Sequence, residues 1–130
     1  MKITLIRNLV AVALIGLFTQ FSAAQEANNM GALKEVADIV ASINHFPSDA
    51  DKAALANISG NEALAQGVRD MATAVANIAH AANAEGKEAM ARIQANESAP
   101  VSAKALAASI ASFNHMLSDE EKAALTQMFP

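Results

Sequence analysis

The chain has no cysteine, no tryptophan and no tyrosine. Without cysteine there is no disulfide framework and no thiolate nucleophile, so apolar packing alone must hold the fold. Helices achieve that most easily in a chain this short. The 5 phenylalanines include only Phe46, Phe113 and Phe129 beyond residue 24, which is little material for a β-sandwich core or for a surface that stacks nucleobases. There is no glycine-rich phosphate loop and no serine set in a nucleophile elbow. Acidic groups such as Asp49 with Asp51, or Asp119 with Glu120 and Glu121, stand where first helical turns are expected. There they complement the positive end of the helix dipole and act as caps before they act as catalysts. No enzyme and no cofactor is expected.

Basic residues are scarce as well. Lys2 and Arg7 precede an apolar run from Leu9 to Phe18, and Ser22, Ala23 and Ala24 form a small-residue cleavage pattern before Gln25. Together these describe a secretory signal peptide over residues 1–24. Cleavage leaves residues 25–130 as a single all-helical domain and removes two of the 9 basic residues, so seven face 13 acidic ones and the net charge becomes −6 with histidine neutral. That balance opposes nucleic acid or an anionic membrane as a partner, since both require clustered Lys and Arg. No later run approaches the ~20 apolar residues of a spanning helix, so no stable membrane insertion is expected. The mature chain is read as secreted, either extracellular or periplasmic if the source is bacterial.

What the sequence does contain is a phrase written more than once. SINHFPSDADKAAL at 42–55 returns as SFNHMLSDEEKAAL at 112–125, identical at nine of fourteen positions. Between them, at an offset of 35 from each, NIAHAANAEGKEAM at 77–90 agrees with the first copy at four. The offset aligns His45, His80 and His115. It also aligns Val36, Met71 and Leu106; Val40, Val75 and Ile110; Ile43, Ile78 and Phe113; Leu55, Met90 and Leu125; and Ile58, Ile93 and Met128. A period of this length marks a recurring supersecondary unit. The units run over about 25–59, 60–94 and 95–130.

Each unit reads as helix, tight turn, helix. Val36, Val40 and Ile43 lie at helical spacing on one stripe, which the middle copy extends as Leu64, Val68, Met71, Val75 and Ile78. Asn44 and His45 mark the helix exit. Pro47 does not continue a helix, and Ser48 with Asp51, or Ser118 with Glu121, has the capping-box spacing that starts the next one. Asn83 and Gly86 do similar work less cleanly, so the alanine-rich run from Asn61 to Ala95 is expected to bend there rather than break. The fold class expected is all-α, a small bundle of short amphipathic helices built from about three 35-residue helix-turn-helix repeats.

The three histidines admit two readings. A histidine at a helix C-terminus bonds free carbonyls and complements the negative dipole end, and the sequence alone favours that reading. The alternative is that His45, His80 and His115 converge on a metal ion. Three imidazoles can ligate zinc or copper, but convergence requires the units to close around a common point, because no pair is spaced to make a site locally.

The closing segment, ASFNHMLSDEEKAALTQMFP, resembles the C-terminal end of nematode fatty-acid- and retinol-binding proteins, through Leu117, Ser118, Asp119, Glu120, Lys122, Leu125, Phe129 and Pro130. FPSDADKAALANI resembles an early segment of that family through Ser48, Asp51, Lys52, Leu55 and Ile58, and NAEGKEAMARI its central helix start through Glu85, Lys87, Ala89 and Ile93. The chain is shorter than the family, richer in alanine, and poorer in surface Lys and Glu. The resemblance implies a secreted, helical carrier of fatty acids and retinoids with an apolar cavity. Candidate lining residues are Val40, Ile43, Met71, Val75, Ile78, Met90, Ile93, Ile110 and Phe113. Arg69 and Arg92 are candidates to pair with a ligand carboxylate, since guanidinium does so bidentately. The competing reading is a secreted, non-enzymatic helical module or effector that docks a protein partner. A carrier encloses its apolar side chains around a cavity, whereas a docking module exposes them. Two sequons, at Asn57 and Asn96, are glycosylation acceptors if the source is eukaryotic.

Overall fold

A computed structural model describes residues 23–130. The signal-peptide reading over residues 1–24 therefore lies almost wholly outside the described residues. These residues form an all-α bundle of six short helices: α1 (Ala23–Ser42), α2 (Asp49–Ser59), α3 (Gln66–Ala76), α4 (Ala84–Ala95), α5 (Val101–Ser112) and α6 (Asp119–Met128). Among them no helix is long and apolar enough to cross a membrane.

Local chemistry sets the helix starts. Ser48 caps α2: its hydroxyl accepts from Asp51 N at 3.1 Å, while its own N–H donates to the Asp51 carboxylate at 3.3 Å. Ser118 and Glu121 repeat this box at α6, at 3.2 and 2.9 Å. At α4 the cap is Asn83, whose side-chain oxygen accepts from Gly86 N at 2.7 Å. Gly86 thus stands where Asp51 and Glu121 stand in the other two helices, and packing explains the difference. A Cβ at Gly86 would lie 3.3 Å from Ala74 Cβ and 3.2 Å from Asn83 Oδ1, so the approach of α3 leaves little room for a carboxylate-bearing side chain. The run from Asn61 to Ala95 is broken, not bent: α3 ends at Ala76 and α4 begins only at Ala84.

The helices close on one another in a cycle. α1, α3 and α5 touch pairwise, α2 packs on α3, α4 packs on α5, and α6 returns to α1. This is closure rather than a linear stack, and it buries the aligned apolar positions together. Val36, Met71 and Leu106 have no exposed surface; nor do Val40, Val75 and Ile110. Ile43, Ile78 and Phe113 are buried with them, as are Leu55, Met90 and Leu125. Only the last aligned set departs: Ile58 and Ile93 are buried, but Met128 is exposed and Phe129 fills the interior beside it. Alanines such as Ala37, Ala72, Ala103 and Ala107 occupy the same core, and their small side chains let the helices approach closely.

Two substitutions separate packing from capping. Leu106→Ala, which leaves a cavity at the centre, is expected to cost about 3 kcal/mol. Ser118→Ala, which orphans a helix N–H, is expected to cost about 1 kcal/mol. Chemical denaturation of the two variants measures both.

Candidate metal centre

At one end of the bundle the turns after α1, α3 and α5 meet. Three non-glycine residues among those described have positive φ, and they are His45 (74°), His80 (68°) and His115 (68°). Their backbones form a closed ring. His45 N donates to His115 O at 2.6 Å, His80 N to His45 O at 2.7 Å, and His115 N to His80 O at 2.5 Å. Each histidine thus donates to one neighbour and accepts from the other, and the left-handed conformation turns all three amides into that pattern. At His115 the bend is tight enough that Met116 N also reaches the Asn114 carbonyl, at 2.8 Å. That contact has the form of the rare, strained γ-turn with positive φ.

The ring of backbones brings the side chains together. The imidazole centroids of His45 lie 5.1 Å from those of His80 and His115, nearly perpendicular to each, and His80 and His115 are 5.0 Å apart. One ring nitrogen from each histidine can be chosen so that the three lie within 4.8 Å of one another. His45 is half-buried, while His80 and His115 are exposed. No carboxylate belongs to this cluster among the described residues. Asn114 Oδ1 lies 2.5 Å from His115 Nδ1. An amide oxygen only accepts, so Nδ1 carries the proton there and Nε2 is left with a free lone pair. This outer contact fixes the tautomer, as partners of metal-ligating histidines characteristically do.

The donor set fits a transition metal. Tetrahedral zinc with Zn–N bonds of ~2.05 Å places its nitrogens about 3.4 Å apart, so each donor atom would move inward by at most about 0.8 Å. Three neutral nitrogens suit zinc, copper or nickel and do not suit magnesium or calcium, which take oxygen.

The remaining sequence candidates lie elsewhere. Val40, Ile43, Met71, Val75, Ile78, Met90, Ile93, Ile110 and Phe113 all pack the interior. None of them lines the three cavities described, the largest of which, about 490 Å³, is bounded by Asn28, Glu35, Asn57, Asn61 and apolar neighbours. Arg92 pairs with Glu88 across one turn of α4 at 3.2 Å, well exposed. Arg69 donates to Gln66 Oε1 at 2.5 Å, and its Nε is buried without a partner. Asn57 lies on the exposed side of α2, and Asn96 ends α4, where its side chain accepts from Ser98 N at 3.0 Å.

Sequence reasoning ranked the helix-exit role of the histidines above convergence. The structure places the imidazoles against one another, two or more residues beyond the ends of α1, α3 and α5. A signal for this was present: of the fourteen aligned positions in the three copies, only the histidine, the lysine (Lys52, Lys87, Lys122) and one alanine (Ala54, Ala89, Ala124) are identical in all. No family model matches the chain, and no curated protein or solved structure matches it either.

The backbone at His80 can be tested apart from its side chain. His80→Val, β-branched at positive φ, is expected to destabilise by roughly 2 kcal/mol. His80→Asn, which tolerates that conformation, is expected to lose well under half as much. Comparison of the two denaturation midpoints checks this, and equal losses would mean that the left-handed conformation at residue 80 does not set the cost.

Proposed function

We propose that the protein is a secreted metal-binding protein that holds one divalent ion of the zinc, copper and nickel group between His45, His80 and His115. The observation that carries this reading is the convergence of the three imidazoles on one point. In this reading the chain is three helix-turn-helix repeats of about 35 residues, closed about an approximate threefold axis, and each repeat supplies one ligand from the same place in its turn. Identical ligands on a closed pseudo-symmetric frame need only one local invention, copied twice. The closure also gives the ion a structural consequence. It ties together three turns that are far apart in the chain, so binding the folded state alone stabilises it.

Carriage of a fatty acid or retinoid, which the resemblance of the sequence implies, would require the helices to part. The residues proposed to line its cavity are closed on one another, and no cavity described involves them. The metal reading requires only the short inward movement of three donor atoms.

Calorimetric titration of the mature chain with Zn²⁺, Cu²⁺ and Ni²⁺ tests the proposal. The expected result is one ion per chain, with affinity lowered by more than about 100-fold in His80→Asn, since removal of a ligand must exceed the 10–100-fold cost of losing an outer partner. Absence of saturable binding for all three ions, or binding unchanged in His80→Asn, would refute it.

A further inference from the structure

Resting on that reading, we propose that the zinc-loaded centre is hydrolytic and cleaves carboxylic esters with small apolar acyl or aryl groups. The argument begins with the donor set. Three neutral nitrogens, with no carboxylate in the cluster, leave the ion its full double charge, and that charge acidifies a bound water. Structural zinc sites are closed by four protein ligands, whereas three protein ligands leave a position for water. Here that position is reached from solvent, because His80 and His115 are exposed. A zinc-bound water in such a site loses its proton near pH ~7 and becomes a hydroxide nucleophile at neutral pH.

The surroundings indicate the substrate class. The residues that directly follow the three histidines are Phe46, Ala81 and Met116. Phe46 is 62% exposed and Met116 48% exposed, and both are among the few large apolar side chains left in solvent. No charged side chain follows a histidine at any of the three turns. Exposed apolar residues next in sequence to the ligands of a Lewis acid suit an uncharged ester better than a phosphate or a peptide carboxylate. The absence of a serine or cysteine motif is no obstacle, since the nucleophile is water.

The reaction balances as a hydrolysis. Zinc-bound water releases a proton to solvent, and the hydroxide oxygen bonds to the ester carbonyl carbon. The oxyanion so formed restores the carbonyl as the bond to the alcohol oxygen breaks. The departing alkoxide takes a proton from solvent, the carboxylic acid releases its own proton to solvent, and a new water displaces the carboxylate from the ion.

The test uses the mature chain, free of metal and then loaded with one equivalent of Zn²⁺, with 4-nitrophenyl acetate as the probe and zinc occupancy measured in the same sample. Free imidazoles attack this ester themselves, so the metal-free protein is the essential baseline. The expected result is a rate at least about tenfold above both that baseline and an equal concentration of aqueous zinc, rising with pH through a midpoint of about 7. EDTA should return it to baseline. His80→Asn, checked for retained helicity by circular dichroism, should show no zinc-dependent rate. A protein that binds zinc stoichiometrically but hydrolyses no faster than its metal-free form overturns the hydrolytic inference and leaves metal binding intact. Failure to bind zinc overturns the hydrolytic inference, and failure to bind Cu²⁺ and Ni²⁺ as well overturns the metal reading.

Discussion

The ring of three backbone hydrogen bonds among His45, His80 and His115 is the constraint on which the rest of this molecule depends. A closed ring of this kind forms only if three turns, separated by 35 residues each, arrive together with the same left-handed bend. Everything upstream serves that arrival. α1, α3 and α5 pack on one another so that their ends come to one place, and the capped starts of α2, α4 and α6 carry the chain away again. Each of the three bonds joins a different pair of turns, so loss of any one opens the ring.

Closure also explains why a short chain without disulfides holds together. A linear array of the same helices would leave the apolar faces of its two ends open. Returning α6 to α1 removes those ends and buries Leu33, Val36 and Val40 on the same terms as their counterparts. The expense is borne at the histidines, where non-glycine residues accept positive φ. Residues held in such conformations concentrate where a protein does something with them. A glycine would satisfy the backbone more easily at all three positions, so the recurrence of histidine at every one of them points to the imidazole.

Much of the bundle was legible in the sequence because its signals are local. Ser48, Ser118 and Asn83 announce helix starts through side chains that reach only three residues ahead, and the stripe from Val68 to Val75 follows from helical period alone, whereas Ile78, read onto the same stripe, lies beyond the end of α3. The break between α3 and α4 was missed because the left-handed bend at His80 closes on His45 and His115, which no local pattern records. The apolar stripes are ambiguous in a different way. Val40, Met71 and Ile110 present the same pattern whether the helices facing them meet or stand apart, so periodicity does not distinguish a filled core from a cavity. The candidate centre lay between these extremes. Its three members were visible in register, but their meeting is a property of long-range closure.

The most direct test of the central claim follows the imidazole nitrogens themselves. Long-range ¹H–¹⁵N correlation spectra recorded through a zinc titration should show one nitrogen of each of His45, His80 and His115 shifting together. The shifts should be complete at one equivalent, with Nε2 as the ligand of His115 and Nδ1 retaining its proton. Spectra in which only one histidine responds, or in which the three respond at different zinc concentrations, would contradict a shared centre.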